Sequence, residues 1–199
     1  MTTIERPAAF VSAATLLLVA LPVLAHTDAG SVSGFASGFL HPVSGLDHVA
    51  AMAAVGLWGA FLGQPAIWLL PVVFPMVMAL GGVLGIAGIP VPGVEILIAL
   101  SGMVLGSMVV FRVKPPIAVA AALVGLFAIF HGHAHGMELP GAASPLGYSA
   151  GFVICTGLIH LSGIAFGLLT KWKKGEIAVR ILGGVIVLAG AYFLVNSLR

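Results

Sequence analysis

AIWLLPVVFPMVMALGGVLGIA, residues Ala66–Ala87, runs for 22 residues without a charged side chain. At 1.5 Å per residue, a helix of that length reaches about 33 Å, enough to cross a hydrocarbon core of about 30 Å. A transmembrane barrel would show alternating polarity instead, and none is present. Working outward, the same texture recurs at Ser33–Leu62, Val94–Phe111, Ile117–His135, Gly147–Thr170 and Ile177–Leu198. Gly63-Gln-Pro65, Gly88-Ile-Pro-Val-Pro-Gly93, Lys114-Pro-Pro116 and Pro140-Gly-Ala-Ala-Ser-Pro145 separate these runs, as turn-forming residues do. Six membrane helices in an all-α, polytopic bundle are the expectation. Pro71 and Pro75 should kink the second span.

Composition agrees. Of 199 residues, 60% are hydrophobic and only 7% charged, which takes the chain outside soluble globular usage. The net charge of +2 comes from two small basic groups and implies membrane orientation, not nucleic-acid binding. The single cysteine, Cys155, excludes an intrachain disulfide and a thiolate metal cage. Small-residue pairs at i, i+4 (Gly34/Gly38, Gly81/Gly85, Gly102/Gly106, Gly147/Gly151, Gly163/Gly167) suit closely packed membrane helices.

At the N-terminus, Arg6 precedes an apolar stretch that ends in Val23-Leu24-Ala25, the pattern of a cleavable secretory signal. Residues 1–25 are therefore expected to be removed and residues 26–199 to form one membrane domain. Cleavage would expose His26, whose amine and ring together can chelate a metal. Arg112 and Lys114 lie between spans three and four, and Lys171, Lys173, Lys174 and Arg180 between spans five and six. Under the positive-inside rule both loops are cytoplasmic, which puts the mature N-terminus and the C-terminus in the periplasm. Lys171-Trp-Lys-Lys174 reads as an interfacial anchor.

Two clusters stand out against this background: His41-Pro-Val-Ser-Gly-Leu-Asp47-His48 and Phe130-His131-Gly-His133-Ala-His135-Gly-Met-Glu138. Ionisable groups within a membrane are costly and mark pathways or sites. Imidazole and carboxylate without thiolate suit a borderline divalent ion such as nickel, cobalt or zinc. The topology brings His41, Asp47, His48, His131, His135 and Glu138 to the outer side together with Glu95, from segments far apart in the chain. In one continuous first helix, His41 and His48 are seven residues apart and share a face, with Gly45 leaving room between them. Asp47 either ligates from the flank or orients a ring. His131 and His135, four apart, stack about 6 Å apart on one face. His133 points elsewhere and reads as a gate or accessory ligand. Glu95 at a helix start and His160 in mid-span are further accessory candidates. Each also has an ordinary structural explanation, through the helix dipole and an interhelical hydrogen bond respectively.

At these residues the chain resembles the HupE/UreJ family of bacterial nickel permeases and accessory proteins. The resemblance rests on His41-x5-Asp47-His48 and on Phe130-His-Gly-x-Ala-His-Gly-x-Glu138, and it extends over the signal, the span layout and the length. It implies that His41, Asp47, His48, His131, His135 and Glu138 serve nickel uptake, with cobalt as the other metal linked to the family. It also implies association with hydrogenase or urease, both nickel enzymes; the partners expected for the chain are nickel-enzyme maturation proteins or further copies of itself in a homo-oligomer.

The function expected is secondary import of Ni2+ (or Co2+) across the inner membrane, with no prosthetic group and no enzymatic activity. No Gly-x4-Gly-Lys-[Ser/Thr] phosphate loop is present. Two charges moving inward gain roughly 4.6 kcal/mol per 100 mV, so none is required. Two alternatives share the residues. One is a metal-binding accessory or sensor protein that does not conduct. The other is an intramembrane zinc hydrolase, for which His-x3-His is present but His-Glu-x-x-His is absent.

Overall fold

The computed structural model describes residues 34–138 and 145–199. The signal expected at residues 1–25 and the candidate His26 lie outside these. Among the described residues the chain is all helical: α1 (Gly34–Ser44), α2 (Leu46–Leu62), α3 (Ala66–Ile86), α4 (Val94–Val110), α5 (Ile117–Met137), α6 (Pro145–Gly167) and α7 (Lys173–Ser197). A 3-10 turn at Leu168–Lys171 links the last two.

Four helices (α3, α5, α6 with its 3-10 extension, and α7) are long and apolar enough to span a membrane, and the bent α1–α2 pair makes a fifth. At 17 residues α4 is shorter, about 25 Å. The first run therefore differs from the continuous helix expected over Ser33–Leu62. It breaks at Gly45, where the axis turns by 83°. Pro42, near the end of α1, has no N–H to return to the preceding turn. Gly45 then takes an extended conformation (φ −104°, ψ 108°) and starts a new helix, with Asp47 in its first turn. By contrast α3 runs as one helix through Pro71 and Pro75.

Polarity is arranged as lipid demands. Trp68, Val72, Met76, Leu80 and Val83 expose an apolar face along α3, as Ile181, Val185, Leu188 and Tyr192 do along α7. The interior combines Trp58, Phe74, Leu57, Leu70 and Leu105 with the polar side chains of Ser101, His131, Thr156 and His160. The most extensive packing pairs α3 with α5, α4 with α7, and α6 with both α1 and α2. Glycine makes the first of these possible. A Cβ on Gly132 would run into the Met78 carbonyl, and one on Gly81 into the Ile129 carbonyl, so the two backbones meet directly.

The two basic segments meet at one end. Arg112 pairs with Glu176 at 2.9 Å, and Arg180 Nε donates to the Val110 carbonyl at 2.9 Å. Lys114 lies 4.8 Å from the Phe61 ring centre. Trp58 Nε1 donates to the Val113 carbonyl at 3.1 Å and ties α2 to the same loop. From Ile117, next to this loop, α5 rises about 27 Å before it reaches His135. The histidine cluster and the basic loops thus occupy opposite ends of the bundle.

Candidate metal site

The break at Gly45 decides how the site is assembled. His41 ends α1 and His48 begins α2, so the two do not line one helix face. Both turn to a third ring, His135 of α5, whose centre is 4.9 Å from that of His41 and 4.3 Å from that of His48. His48 in turn lies 4.8 Å from His131, one turn deeper on α5. Gly45 has a local task as well. A Cβ there would sit 3.0 Å from Asp47 Oδ1 and 3.1 Å from His48 Nδ1, crowding the pair.

At the mouth, His41 Nε2 donates to Glu138 Oε2 at 3.0 Å, and His135 Nδ1 lies 4.0 Å from the same oxygen. One ligand atom each from His41, His135 and Glu138 can be chosen so that all lie within 4.8 Å of one another. Ligands about 2.1 Å from a shared ion stand at most about 4.2 Å apart, so a contraction of a few tenths of an ångström would close the group on a cation. The cation would take the place of the proton now shared by His41 and Glu138.

Deeper in, hydrogen bonds select the tautomers. Asp47 Oδ1 accepts from the His48 backbone N–H at 2.9 Å and from His48 Nδ1 at 3.0 Å. A carboxylate has no proton to give, so Nδ1 carries it and Nε2 presents its lone pair. That atom is buried and has no hydrogen-bond partner among the described residues. Asp47 thus stands behind the His48 ring as an orienting carboxylate does behind a metal-binding histidine, an arrangement that would raise the basicity of Nε2. His131 is held similarly. Ser101 Oγ donates to the Ile98 carbonyl at 2.6 Å, so its oxygen accepts from His131 Nε2 at 3.0 Å and leaves Nδ1 with no hydrogen-bond partner among the described residues. Neither nitrogen of His135 has a hydrogen-bond partner among the described residues.

Exposure falls steadily along this line. The side chain of Glu138 is 58% exposed and that of His41 19%, while His135 is 8% exposed and His131 fully buried. Tyr148 and Phe152 of α6 form one wall, with Phe152 4.6 Å from His135 and Tyr148 5.7 Å from His41. A groove of about 300 Å³ between α3, α5 and α6 also reaches His135.

The accessory candidates fare differently. His133 Nε2 donates to the Ile89 carbonyl at 2.7 Å and fastens α5 to the loop after α3, away from the cluster. Glu95 is exposed in the first turn of α4 and takes part in none of the described hydrogen bonds or ion pairs. His160 is buried with its ring 5.3 Å from Phe74. Sequence reasoning missed Ser101, Tyr148 and Phe152. A lone serine in a membrane helix ordinarily bonds its own backbone, as Ser101 also does, and aromatic side chains read as packing, so none carried a spacing signal.

Comparison with known proteins covers nearly the whole chain. The family described as HupE / UreJ protein matches over residues 14–193. Protein HupE of Rhizobium leguminosarum bv. viciae is 49% identical over 183 residues, which cover 92% of this chain and 96% of that relative. No solved structure matches the chain. With the family matched over nearly the full length and this relative sharing half of the aligned residues, the chain belongs to the HupE/UreJ family.

Proposed function

We propose that the protein imports a divalent transition metal ion, nickel foremost and cobalt next, across the bacterial inner membrane. The observation that carries this reading is the clustering of His41, His135 and Glu138, with ligand atoms within 4.8 Å, at the end of the bundle away from the basic loops. The family is associated with nickel and cobalt transport for hydrogenase and urease. Six crossings follow if the bent α1–α2 pair is one span and α4 another. With the basic loops cytoplasmic, the signal removed after Ala25 and both termini periplasmic, the cluster faces the source of the ion.

Glu138 and His41 capture the ion at the mouth, and His135 receives it between them. His48, with its free nitrogen presented by Asp47, and then His131 take it below the surface. Each exchange replaces hydration water by imidazole or carboxylate, and none holds the ion tightly enough to stop it. A resident cofactor has no part in this scheme, and the six motif residues act as ligands or orienting groups, not as catalysts.

The test is uptake of radiolabelled nickel and cobalt into proteoliposomes under an inside-negative potential, for the wild type and for His135→Ala. Flux in the wild type alone supports import through this site. Saturable binding without flux would replace it with a non-conducting accessory protein, and equal flux in both would remove the site assignment.

A further inference from the structure

Below His131 the cluster ends, yet two more polar side chains are buried where nothing in the proposed path uses them. Tyr148, Phe152, Thr156, His160 and Ile164 form a single row on α6 at intervals of four, and all five are buried. The row begins as the wall of the metal site, where Phe152 touches His135. One step further inward it carries Thr156, fully buried, and at the second step His160, 1% exposed. Thr156 Oγ1 and both ring nitrogens of His160 have no hydrogen-bond partner among the described residues. Phe74 of α3 bridges the levels, with its ring 5.3 Å from His131 and 5.3 Å from His160.

Leaving a buried hydroxyl and an imidazole without partners is expensive, and native interiors rarely do so without a polar guest. Two such side chains one helical turn apart share a face of α6. An apolar pair would pack this position at no such cost, so packing alone gives no reason for them. From Phe152, which touches His135, His160 lies two turns (about 12 Å) further along the helix axis, whereas His131 lies one turn (about 6 Å) below His135, so His160 sits about one turn beyond the innermost motif residue.

We infer that Thr156 and His160 form a second, inner binding step for a hydrated divalent cation, placed across Phe74 from the outer cluster. This rests on the import reading above and supplies a part that reading lacks, a polar foothold in the inner half of the bundle. One imidazole nitrogen and one hydroxyl oxygen would provide two ligands, with water completing the shell. Such a site is weaker than the outer one, which suits a point of release.

The test uses cadmium as a probe and does not depend on transport. In full-length protein carrying Cys155→Ser, the Thr156→Cys thiol together with His160 becomes a soft-ligand pair that favours Cd2+. Cadmium–thiolate absorbance should appear on titration and weaken at least tenfold in apparent affinity when His160→Leu is added. Proteoliposome flux through His160→Leu should fall at least tenfold, with saturable outer-site nickel binding unchanged and flux partly restored in His160→Gln. A Thr156→Cys thiol that neither cadmium nor a small thiol reagent reaches would overturn the inference, as would wild-type flux in His160→Leu. If cadmium binds with His160 but the wild type carries no nickel, the inner site stands and the import reading fails.

Discussion

Replacing Asp47 by asparagine removes one negative charge but keeps an oxygen able to accept from the His48 backbone and from its Nδ1, the two bonds that now hold the pair at 2.9 and 3.0 Å. The fold and the His48 tautomer should therefore survive Asp47→Asn, while the electrostatic support for a cation is lost. An ion bound about 2 Å beyond His48 Nε2 would sit about 6–7 Å from the carboxylate, where one charge attracts a divalent ion by about 5 kcal/mol at an effective dielectric of 20 and about 1.3 kcal/mol in water. The Asp47 side chain is 21% exposed, so water screens part of this and the true loss lies toward the lower figure. Removal of a partner behind a metal-bound histidine typically costs 10- to 100-fold in affinity, about 1.4–2.8 kcal/mol, within the same range. Nickel titration of the detergent-purified protein by isothermal calorimetry should show that increase in Kd for Asp47→Asn, with an unchanged melting temperature. A Kd within threefold of wild type would refute the claim that His48 is a ligand presented by Asp47.

Three further outcomes follow from the same geometry. Ser101→Ala removes the oxygen that accepts from His131 Nε2 and frees the ring to change tautomer. Nickel affinity should fall about 3- to 10-fold, with little change in melting temperature because the Ile98 carbonyl keeps its helical partner; an unchanged affinity would take His131 out of the path. His133→Ala removes the bond to the Ile89 carbonyl and should cost about 1–3 kcal/mol of stability, read from thermal unfolding, while leaving nickel Kd within about twofold. Affinity lost in proportion to stability would instead return His133 to the ligand set. Neutral imidazole is the form that binds metal, so protons compete and nickel binding should weaken as pH falls toward about 6. Calorimetry at pH 7.5 and 5.5 checks this, and equal affinity at both would count against histidine ligation.

Much of this molecule was legible because lipid imposes simple rules. A chain that must satisfy every backbone group internally while facing hydrocarbon has to form helices, and long uncharged runs such as Ala66–Ala87 reveal them. Histidines and carboxylates are rare enough in such runs that His41, Asp47, His48, His131, His135 and Glu138 marked themselves as a group, and the order of the spans put them at one end. What failed was helical phase. The seven-residue spacing of His41 and His48 implied one shared face only while the helix stayed continuous, and the 83° turn at Gly45 abolished it.

The sequence by itself thus determined the all-helical membrane architecture and the set of motif residues, because each follows from local composition and spacing, and those motifs carried the resemblance to the family. Tertiary structure alone decided that His135 is the ring joining His41 to His48, that Ser101 presents His131 and that His133 is tied to Ile89. It also decided that Thr156 and His160 extend the wall inward. Such pairings depend on how helices distant in sequence lie against one another. The close approach of glycine-bearing backbones sets that arrangement, and no local pattern encodes it.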